Sequence, residues 1–123
     1  HAAVRGRVDD ELRALLEVRV GALPDGAKST TEVWVDTAFN GGLVLPRDLI
    51  DQLALQEYSS TPARLADGQL VELPTYTCFL AWFGKEYRTQ VVANEGAYPL
   101  LGTMLLAGHD LAVSYKRSTL DLD

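Results

Sequence analysis

At 123 residues the chain is long enough for one domain with its own core and too short for two comfortable lobes. Lys and Arg number 11 against 17 Asp and Glu, and the net charge of −6 disfavours nucleic acid and anionic lipid surfaces as partners. No apolar run approaches the roughly 20 residues of a membrane span, and the lone Cys78 rules out an intrachain disulfide framework while being compatible with a reducing compartment. A soluble, cytoplasmic protein, or a soluble domain of a longer one, is expected. Residues 1–10, opening on His1-Ala2-Ala3 without a signal-peptide pattern, read as an N-terminal extension or cloning remnant, and residues 11–123 as a single domain.

Leu12, Ala14, Leu16, Val18 and Val20 alternate with polar neighbours, the period-two pattern of a half-buried opening strand. Leu23-Pro24-Asp25-Gly26-Ala27-Lys28 makes a turn, and the β-branched stretch from Thr30 to Val35 returns antiparallel, delivering Asp36 to its end. Asn40-Gly41-Gly42 bends the backbone sharply before the short strand Leu43-Val44-Leu45. Pro46 with Leu49, Ile50 and Leu53 on one face predicts a short packing helix from Pro46 to Leu53. Between extended segments, Asp67-Gly68 marks a hairpin tip. Val71 to Trp82, the turn Phe83-Gly84-Lys85-Glu86 and Tyr87 to Ala93 form a second hairpin. Thr103 caps a helix of one or two turns through Ala107 that Gly108 stops, and Leu111 to Tyr115 is the last strand. The pattern is that of an all-β domain.

Two segments carry the chemistry. In Val33-Trp34-Val35-Asp36-Thr37-Ala38 an apolar strand ends on a carboxylate followed by a hydroxyl and a small residue, and Phe39-Asn40-Gly41-Gly42-Leu43-Val44-Leu45-Pro46 follows it. Much later, Pro99-Leu100-Leu101-Gly102 closes an apolar pair on glycine. In order and rough spacing the two resemble the retroviral-type, retropepsin-like aspartic proteases, in particular small microbial members. That family carries a hydrophobic-hydrophobic-Asp-Thr-Gly signature and a later hydrophobic-hydrophobic-Gly signature beneath it.

The resemblance spans nearly the whole chain. It implies a closed β-barrel, the half of an acid protease, with one or two short helices. Since one aspartate motif makes half a site, it further implies a homodimer in which Asp36 from each subunit meets at a two-fold axis. Two such carboxylates share one proton and activate a water against a peptide carbonyl, with no metal and no cofactor. On the same ground Thr37 braces the two site loops, and backbone amides near Ala38 hold the carboxylates. Leu100, Leu101 and Gly102 support the site from below. Asn40 and Ala66 contact the peptide or protein substrate together with the tip, Asp67, Gly68 and Gln69, of a mobile flap over Leu65 to Leu70.

Two departures stand out. Ala38 replaces the family's usual glycine, which leaves open a catalytically weak or silent peptide-binding and dimerisation module, or a regulatory domain of a longer protein. Asn40 and Thr103 stand where viral relatives have aspartate and arginine, so a hydrogen-bonded substitute for an ion pair is expected there.

Taken without the resemblance, Asp36-Thr37 is an Asx-type turn former and Leu100-Leu101-Gly102 a core strand and turn. Trp34, Trp82 and Phe83 are read as core or dimer-surface aromatics rather than substrate platforms, and Cys78 as a small buried hydrophobe. His1 and His109 are the only histidines, too few for a zinc site or a Cys-His nucleophilic pair, and Gly108-His109-Asp110 is read as a solvated turn. No serine sits in a Gly-x-Ser-x-Gly setting, and Gly84-Lys85 lacks the rest of a phosphate loop. Asp121 and Asp123 are read as a solvated tail.

Overall fold

The computed structural model describes residues 3–64, 66–95 and 98–123; Leu65, within the expected flap, lies outside them. Among the described residues ten strands and two helices follow in chain order: β1 (Val4–Val8), β2 (Ala14–Gly21), β3 (Ser29–Val35), β4 (Leu43–Pro46), α1 (Arg47–Leu53), β5 (Gln56–Arg64), β6 (Leu70–Trp82), β7 (Lys85–Asn94), β8 (Leu100–Leu101), α2 (Thr103–Leu106), β9 (Leu111–Ser114) and β10 (Thr119–Leu122). The sheet order is β5-β6-β7-β4-β8-β3-β2-β1-β10-β9. A further pairing of β6 with β2, through Arg19 with Ala81, Val20 with Leu80 and Gly21 with Phe79, closes the six strands from β6 to β2 into a barrel.

Alternation builds the barrel core. On β2, Leu16, Val18 and Val20 point inward while Glu17 and Arg19 face water; on β3, Val33 and Val35 point inward while Trp34 faces out. These side chains meet Leu43, Leu45, Ile50, Cys78, Leu80, Val91 and Leu101 in one continuous cluster. Pro46 is the N-cap of α1, and Ala54 ends that helix in the left-handed region at φ 57°, with its N–H donating to Asp51 O and Ile50 O. Burial pushes the Cys78 thiol up to about 11, so it is a protonated core residue.

The structure corrects several sequence expectations. Residues 4–8, assigned to an extension, form β1, held between β2 and β10. The opening strand starts at Ala14, because Leu12 sits in a turn at φ 64° with its side chain exposed. Beyond the strand expected to be last, residues 119–122 form β10, where Leu120 and Leu122 are fully buried and Asp121 forms an ion pair with Arg5 (3.3 Å). Two leucines in a four-residue strand are too short a run to declare a period, so the flanking acids dominate the reading. β5 was foreseen only near its end: an edge strand has one covered side, and Gln56-Glu57-Tyr58-Ser59-Ser60-Thr61-Pro62 shows no apolar alternation. The 83–86 turn tightens to the two residues Phe83 (φ 50°) and Gly84 (φ 76°), since Trp82 pairs with Lys85. Trp82 lies in the core, and Phe83 stacks on a half-buried His109 (4.4 Å between centroids, 20° between planes), which is therefore not merely a solvated turn residue.

Leu120→Ala tests the largest of these corrections. Removal of a fully buried leucine costs about 2–5 kcal/mol, read as a lowered urea midpoint at unchanged slope; a neutral result returns residues 119–122 to the status of a tail.

Candidate active site

Asp36 follows directly on β3, and its position is set by backbone bonds. The strand lies parallel to β8, with Trp34 N–H donating to Pro99 O (2.8 Å) and Asp36 N–H donating to Leu101 O (2.9 Å). β8 is clasped on its other side by β4, antiparallel, through Leu43 with Leu101 and Val44 with Leu100. Beyond β8 the amides of Gly102, Thr103 and Met104 donate to Gly42 O (2.8 Å), Phe39 O (2.8 Å) and Gly41 O (3.2 Å), lacing residues 101–104 to the whole loop from Asp36 to Gly42. The two motifs, far apart in sequence, are thereby one structure.

Gly102 is required by close approach rather than by its φ of −103°. A Cβ there would strike the carbonyl oxygen of Gly41 and stand 2.6 Å from that of Phe39. Neither is the yielding end of a side chain. The Phe39 ring stands over both Gly41 and Gly102. Beside it Gly42, Leu43, Thr89, Val92 and Met104 help line a largely apolar cavity of about 390 Å³.

Within the loop, Ala38 N–H donates to Asp36 Oδ1 (2.9 Å) and Phe39 N–H donates to Asp36 O (3.2 Å), so the carboxylate both closes an Asx-type turn and stands half-buried at the strand end. Ala38 is exposed and is not among the residues with positive φ, so its methyl group strains nothing within one chain. Thr37 and Asn40 are exposed on the same loop. The expected Asn40–Thr103 hydrogen bond is replaced: Thr103 Oγ1 donates to Phe39 O (3.3 Å), one residue before Asn40. Thr103 is also not the cap of α2, a place taken by Gly102.

Ala66, Asp67, Gly68 and Gln69 lie exposed at the tip of the β5–β6 hairpin. There Gln69 N–H donates to Asp67 Oδ1 (2.9 Å), Arg64 Nη1 donates to Gly68 O (3.0 Å), and Gly68 takes φ 88°. Among the described residues no hydrogen bond ties this tip to the Asp36 loop.

One group escaped the sequence reading. Trp34, two residues before Asp36, shares its outward strand face and is 38% exposed. Its ring meets Tyr98 edge-on (6.4 Å, 88°), and the Arg13 guanidinium covers Tyr98 at 4.2 Å. Asp9 holds Arg13 in turn: Oδ1 accepts from the N–H of Arg13 (2.9 Å) and of Glu11 (3.1 Å), and Oδ2 accepts from Arg13 Nε (2.8 Å). Period two along β3 places Trp34 outside the core, within the expectation of a core or surface aromatic, but no local pattern shows that Tyr98 lies against it.

Neither a protein-family model nor a curated protein sequence matches this chain. Solved structures do. EIAV protease complexed with the inhibitor HBY-793 superposes with a TM-score of 0.61 at 19% identity, over 80% of this chain and 88% of that one. A retropepsin-like aspartic protease from Rickettsia conorii superposes with a TM-score of 0.65 at 15% identity, over 98% of this chain and 89% of that one. The chain has the retropepsin-like fold. Within that fold the paired β3 and β8, with the loop between Asp36 and Gly42 laced beneath, are the elements that put a carboxylate at the mouth of the barrel.

Two outcomes follow for the site. Gly102→Ala, which forces a methyl group against two carbonyl oxygens, is expected to cost about 1–3 kcal/mol. Gly41→Ala, whose nearest neighbours are atoms of the Phe39 ring, costs less; equal urea midpoints for Gly102→Ala and the parent protein would show the approach is not tight. For Asp9, burial raises the pKa, but the amides of Arg13 and Glu11 and the Arg13 guanidinium outweigh it and hold the carboxyl below its ordinary 3.8. A depressed carboxylate contributes stability above its unfolded pKa and loses it as pH falls through the folded value. Asp9→Asn therefore flattens the loss of stability below about pH 4, measured as Tm against pH, whereas an unchanged profile refutes the assignment.

Proposed function

We propose that the protein is an aspartic endopeptidase acting as a homodimer, in which the two Asp36 carboxylates hold one proton between them. The observation that carries this reading is Asp36 itself. It is a half-buried carboxylate at the mouth of a retropepsin-like barrel, aimed by the Ala38 amide and seated on Leu101-Gly102. Like charges a few ångström apart resist double ionisation, so one carboxyl stays protonated as acid while its ionised partner serves as base. The base draws a proton from water as the water oxygen bonds to the peptide carbonyl carbon. The acid gives its proton to the carbonyl oxygen. Collapse of the tetrahedral adduct breaks the C–N bond, the leaving nitrogen takes a proton, and the shared proton is restored.

The other roles follow from position. Thr37, exposed beside Asp36, braces the two loops across the dimer, and Asn40 meets the substrate backbone. The β5–β6 hairpin, with Ala66 to Gln69 at its tip, closes as a flap over an extended peptide. Gly68 at positive φ suits a tip that must turn tightly while presenting its backbone. The apolar cavity beside Phe39 favours hydrophobic substrate side chains. Ala38 raises no objection to catalysis from within one chain, since its backbone is unstrained and its methyl group exposed.

An unstructured peptide is expected to be cleaved at mildly acidic pH, and Asp36→Asn to lower the rate by about 10²–10⁴-fold or more while leaving the Tm near that of the parent. Specific activity should also fall on dilution, as a dimer requires. Cleavage that survives Asp36→Asn removes the assigned catalyst, and activity independent of concentration removes the dimer.

A further inference from the structure

The outer face of β6 and β7 carries a groove that runs from the loop after Asp36 to the turn between β2 and β3. Phe79 pairs with Arg88, Thr77 with Gln90 and Thr75 with Val92, so these side chains share one face, opposite the core residues Tyr76, Cys78, Leu80 and Val91. At one end lies the apolar cavity beside Phe39, Gly41 and Gly42. At the other, Leu23, Pro24, Gln56, Tyr58, Thr77 and Phe79 help line a second cavity of about 380 Å³. Arg88 lines both. Each reaches the roughly 300–1,000 Å³ of sites that hold small ligands.

The walls of the second cavity are held in place. Leu23 and Pro24 belong to a turn that Glu86 pins, its carboxylate accepting from the Asp25 N–H (3.0 and 3.1 Å) and from Lys28 Nζ (2.7 Å). Tyr58 has no partner in the β5–β6 register, where Glu57 faces Tyr76 and Ser59 faces Thr75. Such an extra residue re-aims its side chain, and the Arg88 guanidinium stands 5.9 Å from the centre of the Tyr58 ring. Tyr58 and Leu23 stay 56% and 67% exposed, an apolar rim of the kind that marks interaction sites.

Arg88 is the charge of the groove. Arg5, Arg7, Arg13, Lys28 and Arg47 each form an ion pair, whereas exposed Arg88 forms none among the described residues. Glu86, two residues before it on the same strand, is occupied by Lys28, and Glu57 is the acid that lines the second cavity among the described residues. A guanidinium between apolar walls suits a carboxylate, which it can hold by two parallel N–H bonds. The net charge of −6 repels acidic peptides from the chain as a whole, so the attraction is local to this groove.

Resting on the peptidase reading above, we propose that this groove is an exosite for the substrate. A peptide segment beyond the scissile pair lies along it, with an acidic side chain on Arg88 and the apolar residues that flank the acid in the two cavities. From Thr75 to Phe79 the strand covers roughly 13 Å, at about 3.3 Å per residue, the length of about four residues of extended peptide. The substrate feature selected is an acid between apolar residues, away from the reacting carbonyl.

Fluorophore-tagged peptides test it on the full chain. Each carries an apolar pair as scissile site and, at stepped distances to either side, glutamate, glutamine or lysine between two leucines. On the Asp36→Asn protein, the glutamate peptide is expected to bind about 5–10-fold tighter than the lysine peptide by anisotropy, with glutamine between them. The preference shrinks as salt is raised. Arg88→Glu reverses the order so that lysine binds best, an outcome an unfolded variant cannot give, and Glu57→Gln strengthens the preference for glutamate. In the parent protein the preference appears in KM and leaves kcat unchanged. Equal binding of the three peptides at every spacing, or an order that Arg88→Glu leaves as it was, overturns the exosite, while cleavage that Asp36→Asn abolishes keeps the peptidase. A charge preference in a parent protein that cuts none of the peptides keeps the acidic-peptide site and overturns the peptidase.

Discussion

Everything at the mouth of the barrel depends on how closely the backbone at Gly102 can approach the backbone at Gly41 and Phe39. Three successive amides, from Gly102 to Met104, donate into the loop that begins at Asp36, and they reach it only because residue 102 has no side chain. The contact is peptide against peptide, with no rotamer to relax. The catalytic candidate is therefore fixed by chain path, and the Phe39 ring stacked over both glycines seals the arrangement. Side chains around the loop can vary with little effect on where Asp36 sits, which is why an alanine at position 38 and a threonine at 103 fit: the first leaves the backbone unstrained, and the second bonds the Phe39 carbonyl.

The same logic explains what was legible beforehand. Asp36 at a strand end and Leu100-Leu101-Gly102 are short local patterns, and the barrel strands β2, β3, β6 and β7 bury one face each, which leaves a readable alternation. β1, β5 and β10 are different. Val4–Val8 and Thr119–Leu122 gain their meaning from each other, through pairs such as Gly6 with Leu120 that join opposite ends of the sequence, and no local window contains that information. β5 is an edge whose polar composition matches one-sided cover. Leu12 fitted the period and still fell outside the strand, because Asp9 binds the amides of Glu11 and Arg13 and turns the chain there.

That turn also links the fold to the site. Asp9 fixes Arg13, Arg13 covers Tyr98, and Tyr98 meets Trp34 on the face that Asp36 shares. The contribution of this half-buried pair is geometric as well as Coulombic: a long cationic side chain is held flat on one ring, and that ring meets another. β3 thus has two distinct sides. Val33 and Val35 are committed to the core, and Trp34 and Asp36 are presented outward from a wall that cannot easily shift.

The proposed chemistry places a demand on the outer surface. One chain supplies one carboxylate, and the proposed dyad needs two. The edges of the sheet differ: β5 carries Glu57, Arg64 and an irregular register, whereas β9 reads Leu111-Ala112-Val113-Ser114 without charge.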